Sequence, residues 1–193
     1  MPIITRENQQ IVVAAAKSQA MTLGTGVATM WGAFVANLAL GGALLNYGVV
    51  PRSIHGLWGI LWAPFLHGSF AHLVSNTIPF LILGWLILLR NRKHLLPVSL
   101  IAMLFSGMVA WLLGAPGSVH VGASGVIFGY LGFLMLAGWY ARSLGSIALS
   151  LLVTGLWGGL VFGVLPGQPG VSWQSHLGGF IGGVWAAKLL RKK

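Results

Sequence analysis

The chain contains no cysteine and no aspartate, and Glu7 is its single acidic residue. The missing thiols exclude a cysteine nucleophile, an iron–sulfur cluster and a Cys-based zinc site, and they leave no disulfide from which to read a redox compartment. One carboxylate cannot build an aspartic-protease dyad, a glycosidase pair or an Asp-supported triad. Charged residues of either sign make up only 6% of the 193 residues. What is present instead is apolar: 56% of the chain is hydrophobic, with 29 glycines, 9 tryptophans and a mean hydropathy of +0.87, a composition foreign to soluble domains. For catalysis the inventory reduces to Ser, Thr, Tyr, Lys, Asn and six histidines.

A net charge of +10 raises nucleic acid as a partner, but the basic residues punctuate apolar runs rather than lining a hydrated face, which argues against it. Reading from one basic marker to the next gives six spans: Leu23 to Tyr47, His72 to Leu89, Leu95 to Leu113, Gly122 to Tyr140, Leu144 to Leu165 and Trp173 to Leu190. Each has roughly the length needed to cross about 30 Å of hydrocarbon as a helix. The expected fold is an all-α membrane protein, a six-helix bundle forming one domain over residues 1–193. Glycines inside the runs are compatible with close helix packing in a bilayer. A cleaved signal peptide is not expected, because the first apolar run begins only after Arg6, Glu7 and Lys17.

Charge placement orients this bundle. With the N-terminus inside, Arg6, Lys17, Arg90, Arg92, Lys93, Arg142, Lys188, Arg191, Lys192 and Lys193 all fall on the cytoplasmic side, and only Arg52 falls outside. Residues 1–20 then form a cytoplasmic N-terminal segment and 191–193 a basic cytoplasmic tail. The first outer connection, residues 48–71, is not hydrophilic. Its Leu57, Trp58, Ile60, Leu61, Trp62, Phe65 and Phe70 read as a segment lying in the outer interface of the bilayer.

Polar residues within apolar spans are costly and point to function. His72 and Asn76 share a helix face at the start of the second span, Ser124 opens the fourth, and His176 opens the sixth. Counting back to the inner basic residues, Ser124 lies about 27 Å above Arg142 and His176 about 22 Å above Arg191, while His72 and Asn76 lie about 27 and 21 Å above Arg90. Four polar groups from three helices therefore occupy one layer toward the outer face. A serine hydroxyl needs a base, and without aspartate that base must be a histidine acting alone, for which His176 is the natural choice. Asn76, His72 and the backbone N–H of Ser124 can serve as oxyanion donors. Gly122 and Gly125 keep Cβ atoms away from an approaching carbonyl. Phe128, one turn after Ser124, can pack against the His176 imidazole. His120, four residues before Ser124, is either interfacial or lines the entrance to this site.

The run His67-Gly68-Ser69-Phe70-Ala71-His72-x-x-x-Asn76, then Gly122-Ala123-Ser124-Gly125, then His176-x-x-Gly179-x-x-x-Gly183, in this order on six spans, resembles the rhomboid intramembrane serine proteases. The resemblance covers nearly the whole chain. It implies Ser124 as nucleophile, His176 as general base and acid, and His72 and Asn76 as oxyanion donors. It also implies that Gly179 and Gly183 let the sixth helix pack tightly on the fourth, and that His67 helps shape the rim of the site. The implied form is the minimal bacterial one, in the cell membrane with both termini cytoplasmic, without a seventh span, cofactor or metal, acting on transmembrane segments of other proteins. Two departures stand out. Trp58 is followed by Gly59 where many members have Trp-Arg, and Phe128 stands where Tyr is common.

Two other readings belong to different classes. One is a rhomboid-like protein that binds membrane clients without cutting them, against which Ser124 and His176 both argue. The other is a histidine-lined channel or transporter, against which the polar groups argue by stopping in the outer third of the membrane.

Overall fold

The computed structural model describes residues 6–191, so residues 1–5 of the expected N-terminal segment and Lys192 and Lys193 of the expected tail lie outside it. Among the described residues there are seven α-helices, and the single β feature is an isolated bridge between Val49 and His120. They are α1 (Arg6–Ala39), α2 (Gly59–Trp62), α3 (Phe70–Arg90), α4 (Leu95–Leu113), α5 (Ser124–Ala141), α6 (Leu144–Trp157) and α7 (Trp173–Leu189).

Among the described residues, four helical segments are by themselves long and apolar enough to cross a membrane: Phe70–Arg90, Arg92–Leu113, Ser124–Ala141 and Leu144–Val164. The first and last of the six expected spans differ from these. Helix α1 dilutes its apolar residues with threonines whose hydroxyls bond back to carbonyls one turn earlier, Thr22 to Ser18, Thr25 to Met21 and Thr29 to Thr25. It also begins far ahead of Leu23 and stops at Ala39 rather than Tyr47. The stop is local: Gly41 and Gly42 take φ of 61° and 90°, and the Asn37 side chain accepts from the Leu44 N–H, turning the chain into a 3₁₀ turn at Ala43–Tyr47. Helix α7 is glycine-rich and only 17 residues long. The fifth expected span is α-helical only to Trp157 and finishes as a 3₁₀ stretch, Gly158–Val164.

Helix α5 is the axis of the bundle. It is buried nearly all round from Gly125 to Leu134, as expected for a helix that is apolar on every face, and it packs against α7, α4, α6 and α3. Its contact with α7 is backbone to backbone. A Cβ at Gly179 would strike the Gly125 carbonyl, and one at Gly183 would strike the Gly129 carbonyl, so these positions admit no side chain without moving the helices apart. The surrounding helices turn leucines and other large apolar residues outward: Leu89, Leu96, Leu104, Leu152 and Leu156 are all more than half exposed. Such a surface suits a lipid solvent.

The segment before α3 is folded onto the bundle rather than laid flat on it. Trp58, Trp62 and Phe70 are exposed, whereas Ile60 and Leu66 are buried and Ile60 fills the space left by Gly107 of α4.

Candidate functional site

Three helix starts converge on one cavity of about 590 Å³, lined by His72 and Asn76 from α3, Ser124 and Phe128 from α5, His176 from α7, and the loop residue His120 among others. Each start is fixed locally. Ser69 caps α3 by accepting from the His72 N–H at 3.1 Å, which sets the first turn that carries His72 and Asn76. Ser172 caps α7 by accepting from the Ser175 N–H at 3.3 Å, placing His176 in that helix's first turn. Ser124 is the first residue of α5, where helical geometry leaves the backbone N–H free for an outside acceptor. The turn into α5 is held by the Gly122 N–H donating to the Ala63 carbonyl at 2.8 Å. Gly122 has φ of 114°, and a Cβ there would come within 2.6 Å of the His72 ring. Only glycine satisfies both conditions.

His176 is buried, at 8% exposure, and held from two sides. The Phe128 ring stacks on its imidazole with centroids 4.0 Å apart and planes 11° from parallel. Its Nδ1 lies 2.9 Å from the Gly163 carbonyl oxygen. A carbonyl only accepts, so Nδ1 carries the proton and Nε2 is left with its lone pair, the tautomer a general base requires. The Gly163 carbonyl thus fixes the orientation of the His176 ring. Gly163 has no room for a side chain, since a Cβ would meet the Phe128 ring at 2.8 Å and His176 Nδ1 at 3.3 Å.

Asn76 is 4% exposed, and its amide nitrogen Nδ2 is buried without a hydrogen-bond partner. A buried donor left unmade costs roughly 1–3 kcal/mol, and this one lies in the cavity that Ser124 and His176 also line.

Of the other expected residues, Gly125 and His67 do not line the cavity and His120 does. Gly125 does not face the cavity; it faces α4, where a Cβ would collide with the Ser106 side chain, and it serves helix packing as Gly179 and Gly183 do. His67 is fully buried behind His72, ring centroids 5.0 Å apart, and is not on a solvent-facing rim. Its Nδ1 donates to the Phe65 carbonyl at 3.3 Å and its Nε2 accepts from the Ala123 N–H at 3.5 Å, so it ties the first outer loop to the turn before Ser124. Burial, reinforced by the neighbouring His72, pushes the His67 pKa down from 6.5 to about 4, which keeps it neutral and able to make both bonds. His120 lines the cavity and bonds the Ser172 hydroxyl through Nδ1 at 2.6 Å and the Ser118 hydroxyl through Nε2 at 2.9 Å; burial lowers its pKa as well. Among the described residues no three His, Asp or Glu side chains are grouped to hold a metal ion.

A model of the rhomboid domain matches residues 55–193. The chain belongs to the rhomboid family. It is 42% identical over 151 residues to an uncharacterized protein of Mycobacterium tuberculosis, covering 74% of this chain and 63% of that one. An uncharacterized protein of Mycobacterium leprae is 43% identical over 156 residues, 77% of this chain and 62% of its own length. RHOMBOID-like protein 4 of Arabidopsis thaliana is 31% identical over 133 residues, 65% of this chain and 32% of its own. This rhomboid therefore spans a little under two thirds of the mycobacterial relatives' length. Membership and the four apolar helices make it a multi-pass membrane protein in a lipid bilayer.

Nothing in the sequence marks the Gly163 carbonyl, because any residue supplies a carbonyl and the fifth expected span also holds Gly155, Gly158 and Gly159. The serines at 118 and 172 that hold His120 gave no signal either.

Proposed function

We propose that this rhomboid is an intramembrane serine endopeptidase working through a Ser124–His176 dyad. The observation that carries the reading is the unpaired, buried Asn76 amide in the same cavity as a helix-start serine and a histidine whose tautomer is fixed by the Gly163 carbonyl. In this reaction Ser124 Oγ attacks the scissile carbonyl carbon as its proton passes to His176 Nε2. The resulting oxyanion takes hydrogen bonds from Asn76 Nδ2, the His72 ring and the Ser124 N–H. Collapse breaks the C–N bond, His176 returns the proton to the leaving amine, and a Ser124 ester remains. Water, deprotonated by His176, then attacks the ester, and Ser124 leaves with its proton restored.

The substrates are transmembrane segments of other proteins, cut near the outer face. Helices α1, α3, α4, α5, the α6 segment and α7 form six spans, with both termini in the cytoplasm of a bacterial cell, residues 191–193 as a basic tail and 48–71 as the interfacial loop, within one domain over residues 1–193. The placement of ten basic residues on one side and Arg52 on the other supports this orientation. The test is a proteoliposome carrying a generic transmembrane substrate, followed for cleavage and for solute flux together. Cleavage without flux is expected; binding without cleavage, or flux alone, overturns the reading.

A further inference from the structure

A second cavity, similar in size to the one beside Ser124, lies among the described residues. On the opposite face of α5, between α1, α3 and α4, lies a slot of about 630 Å³ with almost wholly apolar walls. Its floor is Leu23, Met30 and Tyr130, all buried to 2% exposure or less. Its open side runs between α1 and α4, where the lining residues Leu96 and Leu100 are 67% and 49% exposed and face what the bilayer would supply. Along α1 the slot extends from Gln19 to Met30, about 16 Å of helix. One end is closed by Leu61, Pro64 and Phe65 of the first outer loop. The other end carries Arg92 and Lys93, both exposed, at the α3–α4 junction and so at the opposite membrane end from His72.

We propose that this slot is a binding site for an anionic phospholipid, one acyl chain lying in the groove and the phosphate held by Arg92 and Lys93. A long apolar slot open sideways to lipid requires an apolar chain, and two cations at its membrane end require an anion attached to that chain. No other part of the slot carries a charge. Arg92 is already poised there, since its Nη2 donates to the Ser18 hydroxyl of α1 at 2.7 Å. The lipid would complete a contact between α1 and the α3–α4 junction that the protein makes through that one side-chain bond and a packed α1–α3 face. The site is independent of the proteolytic reading.

The full chain in detergent, titrated with palmitoyl-oleoyl phosphatidylglycerol or with phosphatidylcholine bearing the same chains and read by native mass spectrometry, tests this. Phosphatidylglycerol should bind on the order of tenfold more tightly. Arg92→Gln with Lys93→Gln should remove that preference, and Lys93→Gln alone, which leaves the Arg92–Ser18 bond intact, should remove part of it. Thr22→Trp, which fills the slot and keeps both cations, should weaken both lipids. Arg142→Gln, a cation of another connection, should change neither. Equal binding of the two lipids, a preference that survives the double substitution, an equal loss in Arg142→Gln, or full binding in Thr22→Trp would each overturn the proposal.

Discussion

Phe128 and His176 lie ring on ring, 4.0 Å between centroids and 11° from coplanar, while the imidazole edge is tied to the Gly163 carbonyl. A stack restrains tilt and a hydrogen bond restrains rotation, so together they fix the ring that the proposed mechanism uses as a base with no carboxylate behind it. Phe128→Ala should lower kcat by up to about 10²-fold with little change in KM, and Phe128→Tyr should keep most of the rate. Steady-state kinetics on a transmembrane substrate would show it; a change confined to KM would mean that the ring contacts substrate instead.

Gly163 offers a second way to disturb the same base. Gly163→Val keeps the carbonyl but forces atoms into space held by Phe128 and His176 Nδ1. The expected result is a fall in kcat comparable to that of Phe128→Ala, and no further fall when the two are combined, because both act on one imidazole. Additive losses would show that Gly163 acts through something other than His176.

Asn76 should separate activity from stability. Its Nδ2 makes no hydrogen bond in the resting protein, so removing it takes away an unsatisfied donor, and on the proposed mechanism an oxyanion donor as well. Asn76→Ala should lose on the order of 10² in rate, softened if His72 or the Ser124 N–H compensates, with an unchanged or slightly raised Tm. A lowered Tm with an unchanged rate would make Asn76 a structural clamp.

Acid should loosen the turn before Ser124. His67 in the folded protein resists protonation down to about pH 4, whereas in the unfolded chain it titrates at its ordinary 6.5. Between those values the unfolded state binds more protons, so the His67 contribution is fully present above 6.5 and is lost progressively as pH falls toward 4. Thermal unfolding in detergent across this range should show a Tm that drops with acidification in the wild type and a shallower drop in His67→Gln. Equal slopes would remove His67 from the account. Cleavage should fall over acid pH too, since a protonated His176 cannot accept the Ser124 proton, and this limb should survive in His67→Gln.

The amount of this that the sequence carried depends on what kind of atom does the work. Spans bounded by charge and polar start residues were legible: the expected run Leu95 to Leu113 coincides with α4, and the expected run from Trp173 ends one residue from α7. Ends set by backbone torsion were not, because two glycines at 41 and 42 stop α1 where hydropathy continues to Tyr47. The side chains Ser124, His176, His72, Asn76 and Phe128 could be named from type and spacing, and they line one cavity. The Gly163 carbonyl could not be named, and Gly125 was read toward the cavity although it faces Ser106, because a GxSG pattern does not say which flank a neighbouring helix will cover.

The central claim is that Ser124 is a nucleophile activated by His176. Purified wild-type protein, Ser124→Ala and His176→Ala should be treated with a fluorophosphonate, checked for folding, and analysed by intact mass and by peptide mapping, alongside cleavage of a transmembrane substrate. The account predicts one adduct, on Ser124, in the wild type, no adduct in either variant, and cleavage abolished in both, with the double substitution no worse than either single one. Wild-type cleavage by Ser124→Ala, or labelling of Ser124 that persists undiminished in His176→Ala, would contradict it.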